Sequence, residues 1–491
     1  MDIRVERLNR EGLSGDTLVL IAWSDGITEV EGWPGIPKEI LNKLWKSGKI
    51  TGKPEEITAV FCNEPSSWEQ VVVLGLGDKE KFTPETAKLS GAVLTRKLRR
   101  LKARNIVIAG TFQEKTAPGL ILGIVLGDYC FERYKDGGST DRSFGSLVFA
   151  EEGDKLEQLA LIVDTAQVEV RAVAYVRDLV NEPGNTLTPS ELAREAQSLA
   201  ERYQMECSCL DLAGIKQLKM GGLIGVSQGS VEEPRLIVLR YNGDPAGNKQ
   251  SLGLVGKGVT FDAGGISLKT VAGLHGEKSD MAGGAAVLGA LAVIAQLKLP
   301  LNVVGIIPAT ENMPSGVALK PDDILTLMDG TTVEIISTDA EGRLILADAI
   351  AYAHTLKLSP IVDIATLTGN CSVALGPFYA GLWSNQQGLL EQVQKAAADA
   401  GEKVWPMPYD KGFLGRTKGV FADLKNSGGR EGGACSAAAF LGHFARDNAW
   451  AHLDIAPTAY ADSEKGYTKR GGTGFGVRTL VQLARILASE P

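Results

Sequence analysis

Short apolar runs alternate with longer amphipathic stretches along most of this chain. In the first third, TLVLIAW (Thr17 to Trp23), VVVLGLG (Val71 to Gly77) and IVIAG (Ile106 to Gly110) read as strands. Between them TPETAKLSGAVLTRKL reads as a helix, with Thr83 as its N-cap and Pro84 in the first helical position. The acidic stretch EEGDKLEQ (Glu151 to Gln158) precedes a long helical pattern, QVEVRAVAYVRDLVNEPG, so a domain boundary is expected between about 150 and 170. Past it, Thr188, Pro189 and Glu191 make a capping box that opens TPSELAREAQSLAERY. Strands are expected at 235–241, 252–256, 302–309, 332–336 and 361–367, with helices at 282–297 and 344–356 between several of them. This alternation predicts an α/β fold. A smaller N-terminal α/β domain covers 1–160, and a larger domain over 161–491 has a mixed, mostly parallel sheet covered by helices.

Ligands of such a sheet bind beyond the carboxyl ends of its strands, and there the apolar pattern breaks. ISTDAEGRL (Ile336 to Leu344) places Asp339, Glu341 and Arg343 at every second position, between the β-branched run Thr332 to Ile336 and the helix that follows. GLVGKGVTFDAGGISLK leaves its strand with Lys257, Asp262 and Lys269. EKSDMAGG carries Asp280 just ahead of a helix, and IVDIATLTGN leaves its strand at Thr366 to Gly369. Charged groups near a core are costly unless paired or bound to a metal. Four carboxylates gathered at one sheet edge cannot all stay ionised without cations. Two divalent ions would meet that need. Oxygen ligands suit Mg²⁺ or Mn²⁺, and Zn²⁺ also accepts them. Two such ions about 3.5–4 Å apart can share a hydroxide and clamp a reacting group.

Simpler readings compete. A single Asp–Lys pair taken alone reads as a surface salt bridge, and Asp339 with Glu341 as an acidic pair favoured at a helix start. GLVGKG is not a P-loop, because Gly258 follows Lys257 where Ser or Thr is required. GGTGFG (Gly471 to Gly476) does not follow a strand inside a βαβ unit, which argues against a dinucleotide site. His452, in the apolar run WAHLDIA, reads as a satisfied core histidine.

Composition narrows the classes further. A chain of 491 residues implies two domains. Its net charge of −8 argues against a nucleic-acid surface, and the one basic run, RKLRRLKAR (Arg96 to Arg104), reads as a solvated face or an interface. The N-terminus is charged from its second residue and does not read as a signal peptide. The longest apolar stretch, LILGIVLG (Leu120 to Gly127), is too short to span a membrane. Cysteines 62, 130, 207, 209, 371 and 435 form no CxxC pair, which suggests reduced thiols in a cytoplasmic protein. Four histidines, at 275, 354, 443 and 452, leave little material for a His-built zinc site or a His-based triad.

In their order and spacing, VGKGVTFDAGGISLK, KSDMAGGAAV, STDAEGRLILADA, DIATLTG, FADLKNSGGREGGACSAAAFL and WAHLDIAPTA resemble the leucyl aminopeptidase (cytosol aminopeptidase) family. RDLVNEPGNTLTPSELA resembles the start of that family's catalytic domain. The resemblance covers roughly residues 165 to 485, and the N-terminal third matches only in size and α/β character. It implies a dinuclear-metal aminopeptidase that hydrolyses the first residue from peptides with a free N-terminus, a metal-bridged hydroxide being the nucleophile. Asp262 and Glu341 would bridge the two ions. Lys257 and Asp280 would complete the more loosely held one, and Asp339 the other. An amine ligand requires Lys257 to be neutral, its pKa lowered by the adjacent dications. Lys269 would stay charged and polarise the scissile carbonyl. Arg343, with backbone help near Gly342 and Leu367, would hold a bicarbonate ion as general base. Mn²⁺ or Zn²⁺ is expected at the centre, with Mg²⁺ and Co²⁺ as further candidates. A cytoplasmic homohexamer, with active sites facing an inner cavity and no membrane or nucleic-acid partner, completes what the resemblance implies.

Three positions depart from the family pattern. Ser337 stands where Asn is usual, and a small effect on the loop is expected. Pro457 replaces a usual Gly, which would stiffen the pocket wall. Glu277 replaces a usual Met in the pocket for the substrate's first side chain, where the resemblance also places Thr366, Gly369, Ala456 and Ala459. A carboxylate there is costly to bury without a cation, so a shift from Leu toward basic or polar N-terminal residues is expected. The blander reading turns Glu277 to solvent or onto Lys278. Two rival functions remain: a non-catalytic or DNA-binding role, which the acidic charge and the intact ligand set oppose, and a two-metal phosphoesterase, which would need no Lys257.

Overall fold

The computed structural model describes residues 2–28, 31–63, 66–110, 116–136, 144–151, 155–247 and 249–490; part of the acidic boundary stretch, 152–154, lies outside them. The chain divides into two compact units. One is Met1–Arg171 with Ser463–Lys469, the other Ala172–Asp462 with Arg470–Pro491. The division falls inside the helix Leu156–Asn181.

Thr17–Trp23 and Gln70–Gly77 are buried at every position, as strands covered on both faces must be. They lie inside the sheet of the first unit, whose order is Asp2–Arg7, Ser146–Glu151, Asn105–Ala109, Thr17–Trp23, Gln70–Gly77, Ile57–Phe61. All of these neighbours are parallel except the last pair. The helix Pro84–Arg100 starts as its sequence predicts, Thr83 Oγ1 accepting the Thr86 N–H at 3.2 Å. LILGIVLG is buried in the helix Thr116–Asp128, which packs against it.

The sheet of the second unit runs Val404–Pro406, Ala380–Ser384, Trp450–Asp454, Ile361–Ala365, Leu252–Gly256, Asn302–Asn312, Arg235–Asn242, Glu206–Leu210. Its centre is parallel, and antiparallel neighbours stand toward both edges. Gly258–Asp262 continues from Leu252–Gly256 after a one-residue break and pairs with the far end of Asn302–Asn312, in register Asp262↔Asn312. The helix Ala282–Gln296 is apolar all round and buried at all but its last residue, so it fills the interior rather than lining it. Gly342–Thr355 and Gly433–Ala445 pack on one another and on the same core.

The run Thr332–Ile336 is a correction. Only Thr332–Glu334 is strand, and it belongs to a separate three-stranded sheet with Ile324–Thr326 and Leu424–Lys425. Ile336 is 47 % exposed. Beyond Glu334 the chain is held by the buried side chain of Asn426, which accepts the Ile336 N–H at 2.8 Å and donates to the Ser337 carbonyl at 2.6 Å. Ile335 still pairs through its backbone with Asp322 and Asp323, and past it the Asn426 clamp holds the chain as it enters the acidic segment.

Candidate metal centre

The break between Leu252–Gly256 and Gly258–Asp262 is occupied by Lys257, which is only 2 % exposed. Its backbone N–H donates to Ile364 O (3.1 Å) and its carbonyl accepts from Gly284 N (2.7 Å), so the kink is tied on both sides. The ammonium lies 2.7 Å from Asp280 Oδ2 and 2.7 Å from Glu341 Oε1, and donates to the Thr366 carbonyl at 3.1 Å. Asp262 ends the next strand. Its Oδ1 accepts from Gly264 N and from Asn312 Nδ2, both at 2.8 Å, and its Oδ2 lies 2.7 Å from Lys269 Nζ. Lys269 also meets Asp339 Oδ1 at 2.5 Å and Glu277 Oε2 at 3.7 Å. Gly264 makes this turn with φ 87°, where a Cβ would also stand 2.8 Å from Asp339 Oδ1.

Two triads of carboxylate oxygens result, Asp262–Glu277–Asp280 and Asp262–Asp339–Glu341, each with its atoms within 4.8 Å of one another. Asp262 is common to both. Glu341 Oε2 is buried with no hydrogen bond, and Asp280 Oδ2 has only its ion contact with Lys257. Buried carboxylate oxygens left this way are what a cation would satisfy. The donor set, oxygen apart from one amine, suits hard or borderline divalent ions.

Burial opposes charge on Lys257, but the carboxylates of Asp280, Glu341 and Asp262 outweigh it and hold the ammonium above its ordinary range. Lys269 is raised in the same way, chiefly by Asp262 and Glu341 against its burial. Burial, helped by the Glu341 charge, pushes Asp262 up to about 6. It also raises Asp280 well above the carboxylate range, and Asp339 less. Glu341 goes the other way, because Lys257 and Lys269 overcome its burial. Without ions, then, Lys257 is charged, and the neutral amine expected of a ligand would require the ions themselves.

Arg343 is the second residue of the helix Gly342–Thr355, whose first N–H groups have no acceptor within the helix. Burial lowers its pKa to about 10, and its Nε is buried without a partner. The Leu367 N–H donates to Asp454 Oδ1 at 3.1 Å. Of the expected pocket residues, Thr366 is tied to the centre by its hydroxyl, 2.8 Å from Asp280 Oδ1. Gly369 faces open space, Ala456 is half-buried with its N–H on Asp454 Oδ1 (3.1 Å), and Ala459 is buried. Glu277 neither points away from the centre nor pairs with Lys278, whose ammonium donates to the Asn181 carbonyl.

Sequence reasoning passed over the residues that hold these side chains in place. Asn312 Nδ2 bridges Asp262 Oδ1 and the Thr338 carbonyl (3.0 Å), and Thr338 Oγ1 donates to Gly264 O (2.6 Å) while accepting from Ser267 N (2.8 Å). Asp454 gathers the N–H groups of Leu367 and Ala456 and the Thr368 hydroxyl (2.7 Å). A polar residue closing an apolar strand, as in ATEN and HLD, was the available signal. His452 is fully buried, with Nδ1 2.6 Å from Asp363 Oδ1 and Nε2 unpartnered, so its hydrogen bonding is only half satisfied.

Residues 174–481 match the family model described as the cytosol aminopeptidase family, catalytic domain, and residues 34–137 match that family's N-terminal domain, where the motifs gave only general character. A probable cytosol aminopeptidase of Alkaliphilus metalliredigens (strain QYMF) is 43% identical over 460 residues, 92% of this chain and 91% of that protein. One of Bacillus subtilis (strain 168) is 39% identical over 458 residues, with 92% and 91% covered. Among solved structures, the bottromycin maturation enzyme BotP in complex with Mn superposes with a TM-score of 0.84 at 32% identity, covering 97% of this chain and 100% of that one.

Proposed function

The chain belongs to the cytosol aminopeptidase family of metal-dependent exopeptidases, and from that premise we propose that it removes the first residue of peptides at the Asp262-centred site. The carrying observation is that one carboxylate serves both oxygen triads while Glu341 keeps a buried oxygen unsatisfied beside it. Asp262 and Glu341 would hold both ions, Lys257 and Asp280 one of them, and Asp339 the other. When bound, the ions supply Lewis acidity toward water and substrate and an anchor for the free amine. The Mn complex of BotP supports Mn²⁺ among Mn²⁺, Zn²⁺, Mg²⁺ and Co²⁺.

The chain's own groups do the rest. Lys269 is charged and less deeply buried than Lys257, so it would donate to the scissile carbonyl oxygen as negative charge develops there. Arg343, whose Nε is buried without a partner, would hold a bicarbonate ion as proton acceptor together with the opening amides of the helix at Gly342, and the Leu367 amide would be shared between it and Asp454. Thr366, Gly369, Ala456 and Ala459 would shape the pocket for the first side chain, with Glu277 at its inner edge. We further propose a homohexamer in the cytoplasm. The relatives' name supports the compartment, and among the described residues no helix is long and apolar enough to cross a membrane.

An amino-acid anilide and a phosphate ester, each assayed with and without chelator, test the reading. The expected result is anilide hydrolysis that chelator abolishes and Mn²⁺ restores. Hydrolysis of the ester alone would assign a phosphoesterase, and inertness to both would leave a non-catalytic role.

A further inference from the structure

Glu277 belongs to the Asp262–Glu277–Asp280 triad, although the resemblance gives it only a place in the pocket wall. Local backbone explains why it is there. Gly276 takes the left-handed conformation (φ 98°), and a single 3₁₀ turn, Glu277–Ser279, then brings the chain back to Asp280. Asp280 N donates to Glu277 O at 3.2 Å, which sets the two carboxylates on one side of the turn. Three oxygens within 4.8 Å of one another leave an ion between them at most about 2.8 Å from each, so shifts of under about 1 Å would reach the 2.0–2.2 Å of Mn²⁺-like or zinc ligation. Glu341 Oε2, buried without a hydrogen bond on a residue whose other oxygen meets Lys257, independently marks this centre as one that wants a cation.

Resting on the two-ion reading above, we propose that Glu277 is a direct ligand of the ion held by Asp262, Asp280 and Lys257. Its only ion pair among the described residues is the long one to Lys269, at 3.7 Å, and Lys278 is engaged elsewhere. A basic substrate side chain would have to reach the same carboxylate past the ion. The added oxygen makes this position harder in character, which favours Mn²⁺ or Mg²⁺ over softer competitors. It also turns Glu277 from a reader of basic side chains into part of the centre, so the expected preference for basic residues gives way to an ordinary apolar one.

The test is Mn²⁺ binding to chelator-stripped protein, read as free Mn²⁺ by electron paramagnetic resonance, for wild type, Glu277→Gln and Glu277→Met. Unchanged circular dichroism serves as the folding control. Glu277 is 26 % exposed and on a short turn, so both variants should fold, and the near-isosteric Gln decides if Met disturbs the turn. Two equivalents in wild type, one of them weakened at least about tenfold in the variants, supports the assignment. With Mn²⁺ saturating, the Leu-to-Arg ratio in kcat/KM should also stay within about twofold. Two equivalents bound equally well by all three proteins, or a ratio that moves tenfold with unchanged Mn²⁺ affinity, overturns it and leaves the two-ion centre standing. No Mn²⁺ binding by wild type would instead remove the centre itself.

Discussion

Gly342 and Lys257 compete for one volume: a Cβ at residue 342 would stand 2.6 Å from Lys257 Cε and 2.8 Å from its Nζ. The amine has no easy way aside, because Asp280, Glu341 and the Thr366 carbonyl already hold it. Gly342→Ala should therefore leave the fold intact and weaken the ion that Lys257 serves by at least about tenfold. Equilibrium dialysis against Mn²⁺ measures this. Wild-type affinity in the variant would mean that the crowding is absorbed elsewhere.

Asp262→Ala should fold but fail to retain two equivalents of metal. The loss strands the Gly264 N–H and one of the two Asn312 Nδ2 hydrogens, at about 1–3 kcal/mol each, against which stands relief of repulsion from Glu341. Elemental analysis of the purified variant decides the point. Full occupancy would take Asp262 out of the bridging position.

Lys269→Ala should lose roughly 10²–10³ in kcat, the loss typical of an oxyanion donor, with both metals retained. Arg343→Ala should be slower yet partly active, since a less well placed water can still accept the proton. Rates for the Arg343 variant equal to wild type at every bicarbonate concentration would end the anion role.

His452 supplies a pH test of stability. Burial disfavours its charge, but Asp363 at 2.6 Å more than compensates, so its folded pKa is raised above 6.5. A raised histidine contributes stability that is complete below the unfolded value, near 6.5, and is lost as pH rises through the folded value. Thermal denaturation of wild type and His452→Gln across neutral pH should show the difference between them shrinking as pH increases, with a slope of up to ~1.4 kcal/mol per pH unit. A constant difference would mean that His452 stays neutral throughout.

The parallel core was legible because its strands and helices are apolar on more than one face. Thr17–Trp23, Leu252–Gly256 and Ala282–Gln296 admit few other readings. The proposed ligand set came from motif resemblance, and the structure brings Lys257, Asp262, Lys269, Asp280, Asp339 and Glu341 together in one cluster. What escaped was set by long-range hydrogen bonds. Asn426 clamps Ile336 from 90 residues away, and Asn312 and Thr338 orient Asp262 and the Gly264 turn across strands. Local propensity contains no trace of such partners. The facing of Glu277 was likewise undecidable from the chain, because Lys278 beside it looked like a ready counter-ion until its ammonium was found on Asn181.

Lys257 and Lys269 stand among the carboxylates as built-in counter-ions. Two ammoniums offset only part of the charge of the five carboxylates Asp262, Glu277, Asp280, Asp339 and Glu341. If the proposed ion takes the Lys257 amine as a ligand, the ammonium must give up its proton, so uptake would be an exchange that alkaline conditions favour and acid ones resist.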